Sequence, residues 1–309
     1  MPYRFLTADV FTGAMFGGNQ LAVLPDARGL TSEQMLAITR EFNYSESTFV
    51  LPPDDPRHTR RVRIFTPGGE VPFAGHPTVG TAFLLCASCE VPLTGDETRL
   101  VLEEGVGPVP VLVRRDGASG GPGFCQLSVA QLPVTQGPPP DPAAVAEALS
   151  LGTDDLVGGD WAPAGMSCGL PFLMVPVRSR EAVARARVRM DVWERSLKGT
   201  WASEPMVFAM DGDAPTRDGP RHDVHARVFV PGLNVPEDPA TGSACAALGG
   251  YLAARTPRDN ATLRWTVEQG VEMGRPSVLR IEVDKAAGAA TAVRVGGESV
   301  WVSEGMLRV

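Results

Sequence analysis

Two short blocks of this sequence carry residues whose types and spacing could bind and transform a small anion. Residues 76–82 read His-Pro-Thr-Val-Gly-Thr-Ala, and residues 238–244, about 160 positions later, read Asp-Pro-Ala-Thr-Gly-Ser-Ala. Each block opens an apolar run typical of a buried helix. Because the start of a helix has unpaired N–H groups and a partial positive charge, two such starts are predicted to hold a carboxylate.

The polar residue before the proline of each block is a candidate for proton transfer. These residues are His76 and Asp238. Taken singly, each has a structural alternative: Asp238 would be a helix N-cap, and His76 a buried histidine with satisfied hydrogen bonds. Their occurrence as a matched pair favours the functional interpretation. His76 would then add positive potential to that of the helix starts.

Glu46 is the third candidate. The segment Ser45-Glu46-Ser47 lies between a predicted amphipathic helix and a predicted strand at 48–51. An acidic residue in this position is either exposed in a turn or directed into a cleft, and the pattern leaves both alternatives open.

Short strands dominate the elements that must position these residues. Thr31 and Gln34 predict a capping box at the start of one helix. Asp141-Pro142 predicts the start of another, with Gly152 just past its end. Gly296-Gly297 predicts a hairpin turn before the last strand.

The two apolar helices are predicted to begin at Pro77 and Pro239. Neither has a polar face, so each should be buried on all sides and wrapped by its own sheet. Their similar surroundings, after strands ending in Phe-Thr-Pro and Phe-Val-Pro, indicate a duplicated unit and two similar domains. The boundary falls either in the Pro- and Gly-rich stretch 136–141 or near 127. We place the domains at 1–127 and 128–297, with a final strand near 298–309 that could return to the first.

Composition excludes several classes of function. The 309 residues carry a net charge of −8 and a pI near 5.1, which argues against nucleic-acid binding. The longest apolar run, about 79–86, is far shorter than the ~20 residues of a membrane helix, and no secretion signal is seen. The five cysteines predict buried thiols, and His222 and His225 have no third ligand at metal spacing, so we expect no metal. A cytoplasmic location follows.

The order of several longer segments resembles the phenazine-biosynthesis PhzF-like family, over nearly the whole chain from Asp9. These segments are DVFT…GGNQLAV, NYSESTFV, RIFTPGGEVPFAGHPTVGTA, RVFVPGLNVPEDPATGSA and EQGVEMGRPS. The resemblance implies an α+β fold of the diaminopimelate epimerase type. In that fold, two pseudo-symmetric domains each have a curled, mostly antiparallel sheet around a central buried helix, and the active site lies in the cleft between the domains. It also implies a homodimer and no cofactor.

The resemblance assigns roles to individual residues. Glu46 falls on the family's acid/base glutamate, and His76 and Asp238 fall on residues that position substrate and shape proton transfer. Asn19, Ser45, Gly75, Gly242 and Ser243 are expected to bind substrate. This sequence departs from the family pattern at three places: Gln20 replaces the usual Pro, Ala74 the common Cys, and the glutamate lies in Ser-Glu-Ser where Ser-Glu-Thr is usual.

Cofactor-independent racemases of this fold use two cysteines, and neither Ala74 nor Glu237 supplies one here. One glutamate can move a proton between two carbons on the same face, which is an isomerisation. We therefore expect a cofactor-free isomerase acting on a small cyclic or amino carboxylate, similar to trans-2,3-dihydro-3-hydroxyanthranilate isomerase. A non-catalytic protein that binds small anions, and an epimerase of the same fold, are the alternatives.

Overall fold

The computed structural model describes residues 2–210, 222–233 and 235–309. The chain folds into two compact units, residues 1–130 with 295–309, and residues 131–294. The sequence-based bounds were 127 and 297. Both units are sheet-dominated with few helices, which confirms a mixed α+β class.

The first unit carries eight strands and two helices before the chain leaves it. They are β1 (Pro2–Val10), β2 (Asn19–Leu24), α1 (Ser32–Phe42), β3 (Glu46–Leu51), β4 (Arg60–Thr66), β5 (Gly69–Val71), α2 (Gly75–Ala87), β6 (Glu97–Glu104), β7 (Gly107–Arg115) and β8 (Pro122–Ser128).

Within its described residues, the second unit continues with four α-helices and the remaining strands. They are α3 (Pro142–Ala148), β9 (Ala164–Ser167), β10 (Pro171–Pro176), α4 (Arg180–Arg185), α5 (Met190–Ser196), β11 (Pro205–Met210), β12 (Val224–Val230), β13 (Val235–Asp238), α6 (Gly242–Arg255), β14 (Ala261–Gln269), β15 (Ser277–Ala286) and β16 (Ala289–Arg308). The last of these, β16, carries the chain back to the first unit at Val295.

In the first unit the strand order is β1-β2-β3-β4-β6-β7-β8, with β5 paired to β4. The pairs β2–β3 and β4–β6 are parallel, and a helix joins the strands of each pair: α1 in the first case and α2 in the second. Parallel neighbours need such a crossover because a tight turn reverses the chain direction and can join only antiparallel strands. The crossover α2 packs against β1, β2, β3, β7 and β8.

The second unit repeats this arrangement. Its strand order is β9-β10-β11-β12-β14-β15, and the parallel pair β12–β14 is joined through α6. Helix α6 packs against β9, β10, β14 and β15. Residues Gly75–Cys86 of α2 and Gly242–Ala253 of α6 are all buried, which confirms the prediction of two helices buried on every side.

Several local predictions can be compared directly with the structure. The capping box at Thr31 is confirmed, with Thr31 N donating to Gln34 Oε1 at 2.9 Å. Helix α3 does start after Asp141, but it ends at Ala148, so Gly152 does not mark its end. Gly152 instead precedes a short 3-10 turn, held there by Asp155.

The predicted turn at Gly296-Gly297 is wrong, because both glycines lie inside β16. A Cβ at Gly296 would approach the Cys125 carbonyl oxygen of β8 to 2.6 Å, so glycine permits close approach of the two backbones. The turn lies at Ala287-Gly288, where φ values of 50° and 81° match a two-residue hairpin. No helix within the described residues is long and apolar enough to cross a membrane.

Candidate active site

The start of α2 brings together the predicted residues of the first unit. Ala74 is the N-cap in extended conformation, Gly75 is the first helical residue, and no side chain caps the helix. Pro77 is tolerated here because the first turn of a helix has no partner for its backbone N–H groups. His76, in this first turn, is only 3% exposed.

A short hydrogen-bond chain links three of the predicted residues, and a fourth lies beside it. Ser45 Oγ donates to Asn19 Oδ1 at 2.9 Å, and Asn19 Nδ2 lies 3.2 Å from His76 Nδ1. Glu46 Oε2 lies 3.7 Å from the same Nδ1, which is too far for a direct hydrogen bond. Glu46 begins β3 with its side chain 18% exposed, so the alternative of an exposed turn residue is wrong.

His76 is kept neutral. Burial lowers its pKa to about 3, because an imidazolium would lose its hydration there. The expectation that His76 adds positive charge is therefore wrong. A backbone hydrogen bond with Gln20 partly opposes the effect of burial on the pKa of His76, and the Asn19 amide nitrogen lies 3.2 Å from Nδ1. Nε2 is buried and has no hydrogen-bond partner of ordinary geometry within the described part of the chain.

Sequence reasoning missed Glu104, whose carboxyl group hydrogen-bonds Thr78 in the first turn of the same helix. Thr78 Oγ1 lies 2.7 Å from the Ala74 carbonyl and 2.6 Å from Glu104 Oε1. Burial raises the pKa of Glu104 to about 8, so the carboxyl is largely protonated at neutral pH and can donate to Thr78. The alternation of β6 was an available signal, because Thr98, Leu100, Leu102 and Glu104 share its buried face.

In the second unit, the predicted residues lie where β13 ends and α6 begins. Asp238 ends β13, Thr241 is the N-cap, and Gly242 and Ser243 are the first two helical residues. Asp238 and Ser243 are each 7% exposed. Thr241 Oγ1 donates to Asp238 Oδ2 at 2.5 Å, so Asp238 is not itself the N-cap.

The two helix starts differ in register, which corrects the predicted match. Helix α2 begins one residue before His76, whereas α6 begins four residues after Asp238. Pro77 therefore lies inside its helix, while Pro239 precedes the other. Aligned by sequence, Gly242 opens α6 but its counterpart Gly80 lies in the second turn of α2. Hydrogen bonds from Gln269 and Thr241 hold residues 238–241, which precede α6 outside the helix.

Four of the five cysteines are buried free thiols, as predicted, but the prediction is wrong for Cys89, which is exposed. Cys245 is fully buried, and burial, with the nearby Asp238 charge, raises the pKa of its thiol far above neutral. Such a thiol stays protonated at neutral pH and cannot accept a proton from a substrate. His225 bonds Glu268 and Glu272 at 2.8 Å each, and although burial opposes its charge, these carboxylates raise its pKa to about 8. No group of three or more residues suited to hold a metal is found within the described ranges.

Comparison with known proteins shows which family the chain resembles. The family model described as phenazine biosynthesis-like protein matches residues 8–305. An uncharacterized isomerase of Mesorhizobium japonicum is 41% identical, with 98% of both chains covered. Trans-2,3-dihydro-3-hydroxyanthranilate isomerase of Pseudomonas aeruginosa is 34% identical, again with 98% of each covered. A solved phenazine biosynthesis protein of the PhzF family from Bacillus anthracis superposes with a TM-score of 0.86 over 100% of both chains at 24% identity.

The chain therefore belongs to the phenazine biosynthesis-like, or PhzF-like, family, and it is an isomerase.

Proposed function

We propose that this isomerase moves a proton between two carbons of a small cyclic or amino carboxylate, using only its own side chains. The substrate class is that of the Pseudomonas aeruginosa relative, whose name specifies trans-2,3-dihydro-3-hydroxyanthranilate. The observation that carries the proposal is the group formed by Glu46, His76 and Asn19 at the start of α2.

In the proposed step, the Glu46 carboxylate takes a proton from one carbon. The electron pair of that C–H bond forms a new double bond, the existing double bond shifts, and the Glu46 carboxyl returns the proton to the carbon where the electrons arrive. No oxidant or reductant is needed, and the glutamate ends ionised as it began. Proton transfer by a placed side chain is typically worth 10²–10⁴-fold in rate.

The other residues would bind and orient the substrate. His76 is neutral, so its imidazole would hydrogen-bond the substrate through Nε2 without adding charge. The first turns of α2 and α6 have no side-chain cap, which suits them to accept a carboxylate. Asp238 is proposed to assist proton transfer, as the family resemblance implies. Asn19, Ser45, Gly75, Gly242 and Ser243 complete the proposed set of binding residues.

The finer description of the fold belongs to the same proposal. Two pseudo-symmetric domains of the diaminopimelate epimerase type would each enclose one buried helix. The burial of α2 and α6 among strands of their own units supports this. The homodimer stays a prediction.

The first test replaces Glu46 with Gln, which keeps the size of the side chain but removes its basicity. Wild-type protein should incorporate solvent deuterium into trans-2,3-dihydro-3-hydroxyanthranilate in D2O, followed by proton NMR. We expect Glu46→Gln to lower this rate by about 10²–10⁴-fold while the protein stays folded. The exposed Glu41→Gln on α1 is the matched control and should exchange like wild type.

Full exchange in Glu46→Gln would overturn the assignment. Exchange at a single stereocentre with inversion would instead identify an epimerase. If the wild type exchanges none of a panel of cyclic and amino carboxylates but binds one of them, it is a binding protein without this chemistry.

A further inference from the structure

A fully buried glutamine holds the start of α6. Gln269, the last residue of β14, is 0% exposed. Its Oε1 accepts from Thr241 N at 3.1 Å, and its Nε2 donates to the Asp238 carbonyl at 2.7 Å and to Thr241 Oγ1 at 3.1 Å. A backbone N–H can only donate, so Thr241 N fixes which way the amide points.

This orientation determines what the Thr241 hydroxyl does. Because Oγ1 already accepts a proton from Gln269, its own proton is directed to Asp238 Oδ2, 2.5 Å away. The donors thus run in one direction, from Gln269 through Thr241 to Asp238. A hydroxyl donating to a carboxylate makes a charge-assisted bond, which favours the ionised form and holds it in one orientation.

The arrangement forgoes an ordinary stabilising contact. Thr241 is at the N-cap position, where a threonine hydroxyl usually bonds the N–H groups of the first turn. Here it makes no such bond, because it is turned toward Asp238. The residue after Gln269 also approaches this segment closely: Gly270 has φ of 76°, and a Cβ there would lie 2.6 Å from the Pro239 carbonyl oxygen. Because the Thr241 hydroxyl bonds Asp238 and not the helix, its role is better explained by an effect on Asp238 than by helix stability.

We propose that Gln269 and Thr241 are positioning residues for Asp238, with Gln269 committing the Thr241 hydroxyl proton to the Asp238 carboxylate. The inference rests on the proposed function, in which Asp238 assists proton transfer. It adds two residues that touch Asp238 and are not assigned to contact the substrate.

The test has one arm that needs no substrate. The pKa of Asp238 is measured by ¹³C NMR of labelled aspartate carboxyls, assigned through Asp238→Asn. Thr241→Val removes the hydroxyl at nearly constant shape and should raise the pKa of Asp238 by about one pH unit. Gln269→Met should raise it by less, and Thr241→Ser should restore the wild-type value.

A matched control exists in the same unit. Thr262 Oγ1 donates to Asp284 Oδ1 at 2.7 Å on an exposed strand pair, and this bond, with the one from Arg294, holds the pKa of Asp284 below its ordinary value. Thr262→Val should raise the pKa of Asp284 and leave that of Asp238 unchanged. The neighbouring Cys245 thiol titrates far above this range and does not interfere.

The second arm measures turnover of trans-2,3-dihydro-3-hydroxyanthranilate. Thr241→Val and Gln269→Met should lower kcat by about 10–100-fold with KM changed less than about threefold, and Thr241→Ser should recover most of kcat. Circular dichroism and thermal melts establish that each variant is folded.

An unchanged Asp238 pKa in folded Thr241→Val would overturn the positioning role. So would a raised pKa with unchanged kcat, because the orientation would then be irrelevant to the reaction. If the wild type does not turn over this substrate, the proposed function fails for that compound, while the NMR arm still decides whether the pair controls Asp238.

Discussion

His76 lies in the first turn of α2 and Glu104 contacts Thr78 in the same turn, and burial removes the charge from both side chains. The pKa of His76 falls to about 3 and that of Glu104 rises to about 8, so neither carries much charge at neutral pH. The partial positive charge at the start of α2 is therefore not neutralised by an ionised Glu104 carboxylate. A substrate carboxylate would meet the helix start and a neutral imidazole, in a first turn that no side chain caps.

At the residue scale, we expect Glu104→Gln to change how stability depends on pH. The folded-state pKa of Glu104 is raised above its unfolded value of about 4.5, so its contribution is fully present below pH 4.5 and is lost as pH rises through about 8. The loss is on the order of 4 kcal/mol. Glutamine keeps a donor for Thr78 and cannot titrate, so it should lack this loss.

Urea unfolding at pH 5, 7 and 9 measures this difference between wild type and variant. Glu97→Gln, half-exposed at the other end of β6, is the control and should follow the wild-type pH dependence. Parallel stability curves for wild type and Glu104→Gln would show that Glu104 is not held protonated.

At the scale of the element, α2 meets its strands through a glycine. An added Cβ at Gly80 would lie 2.5 Å from Val10 Cγ2 on β1 and 2.6 Å from Leu21 Cδ2 on β2. Val10 is β-branched and stiff at χ1, so it cannot turn away at low cost. The distance between α2 and these strands therefore depends on the absence of a side chain at this position, and the same helix carries Gly75 and His76.

We expect Gly80→Ala to destabilise the protein by about 1–3 kcal/mol, although alanine is the better helix former by about 1 kcal/mol. The denaturant midpoint measures this effect. Gly117→Ala has no atom within 4 Å of the added Cβ and should change stability by less than about 0.5 kcal/mol. Equal or greater stability of Gly80→Ala would mean that α2 can shift without cost.

At the scale of the whole molecule, the first unit is completed by the last residues of the chain. Strand β1 pairs antiparallel with β16, from Pro2 opposite Arg308 to Val10 opposite Ser299. Its pairing with β2 covers Leu6–Val10 only. Leu307 also packs against the core that includes Leu24, Met35 and Phe49. The first unit therefore needs chain segments that are almost 300 residues apart.

Deletion of residues 299–309 should weaken the first unit by roughly 2 kcal/mol or more, since it removes a strand partner and buried apolar surface. Hydrogen exchange should show faster exchange of the amides of residues 3–5. The control is Glu304→Gln, which breaks only an exposed ion pair with Arg4 and should cost less than about 1 kcal/mol. Unchanged exchange at residues 3–5 would show that β1 is held without β16.

Periodicity and turn chemistry predicted many of the local elements. The capping box at Thr31, the start of α3 after Asp141 and the burial of two apolar helices follow from short-range rules, because each depends on residues within one or two turns. The Gly296-Gly297 turn failed because the glycines respond to β8, which lies far away in sequence.

The sequence alone determines which residue types are available for chemistry. It also shows the two apolar helices and the similarity to the PhzF-like family. How those residues are protonated, where each helix begins and which side chains hold them depend on the tertiary structure. Glu104 lies 26 residues after Thr78, and Gln269 lies 28 residues after Thr241, so each belongs to a strand distant in sequence from the helix start that it contacts. Desolvation and long-range hydrogen bonding depend on which distant segments meet, and no local pattern records that.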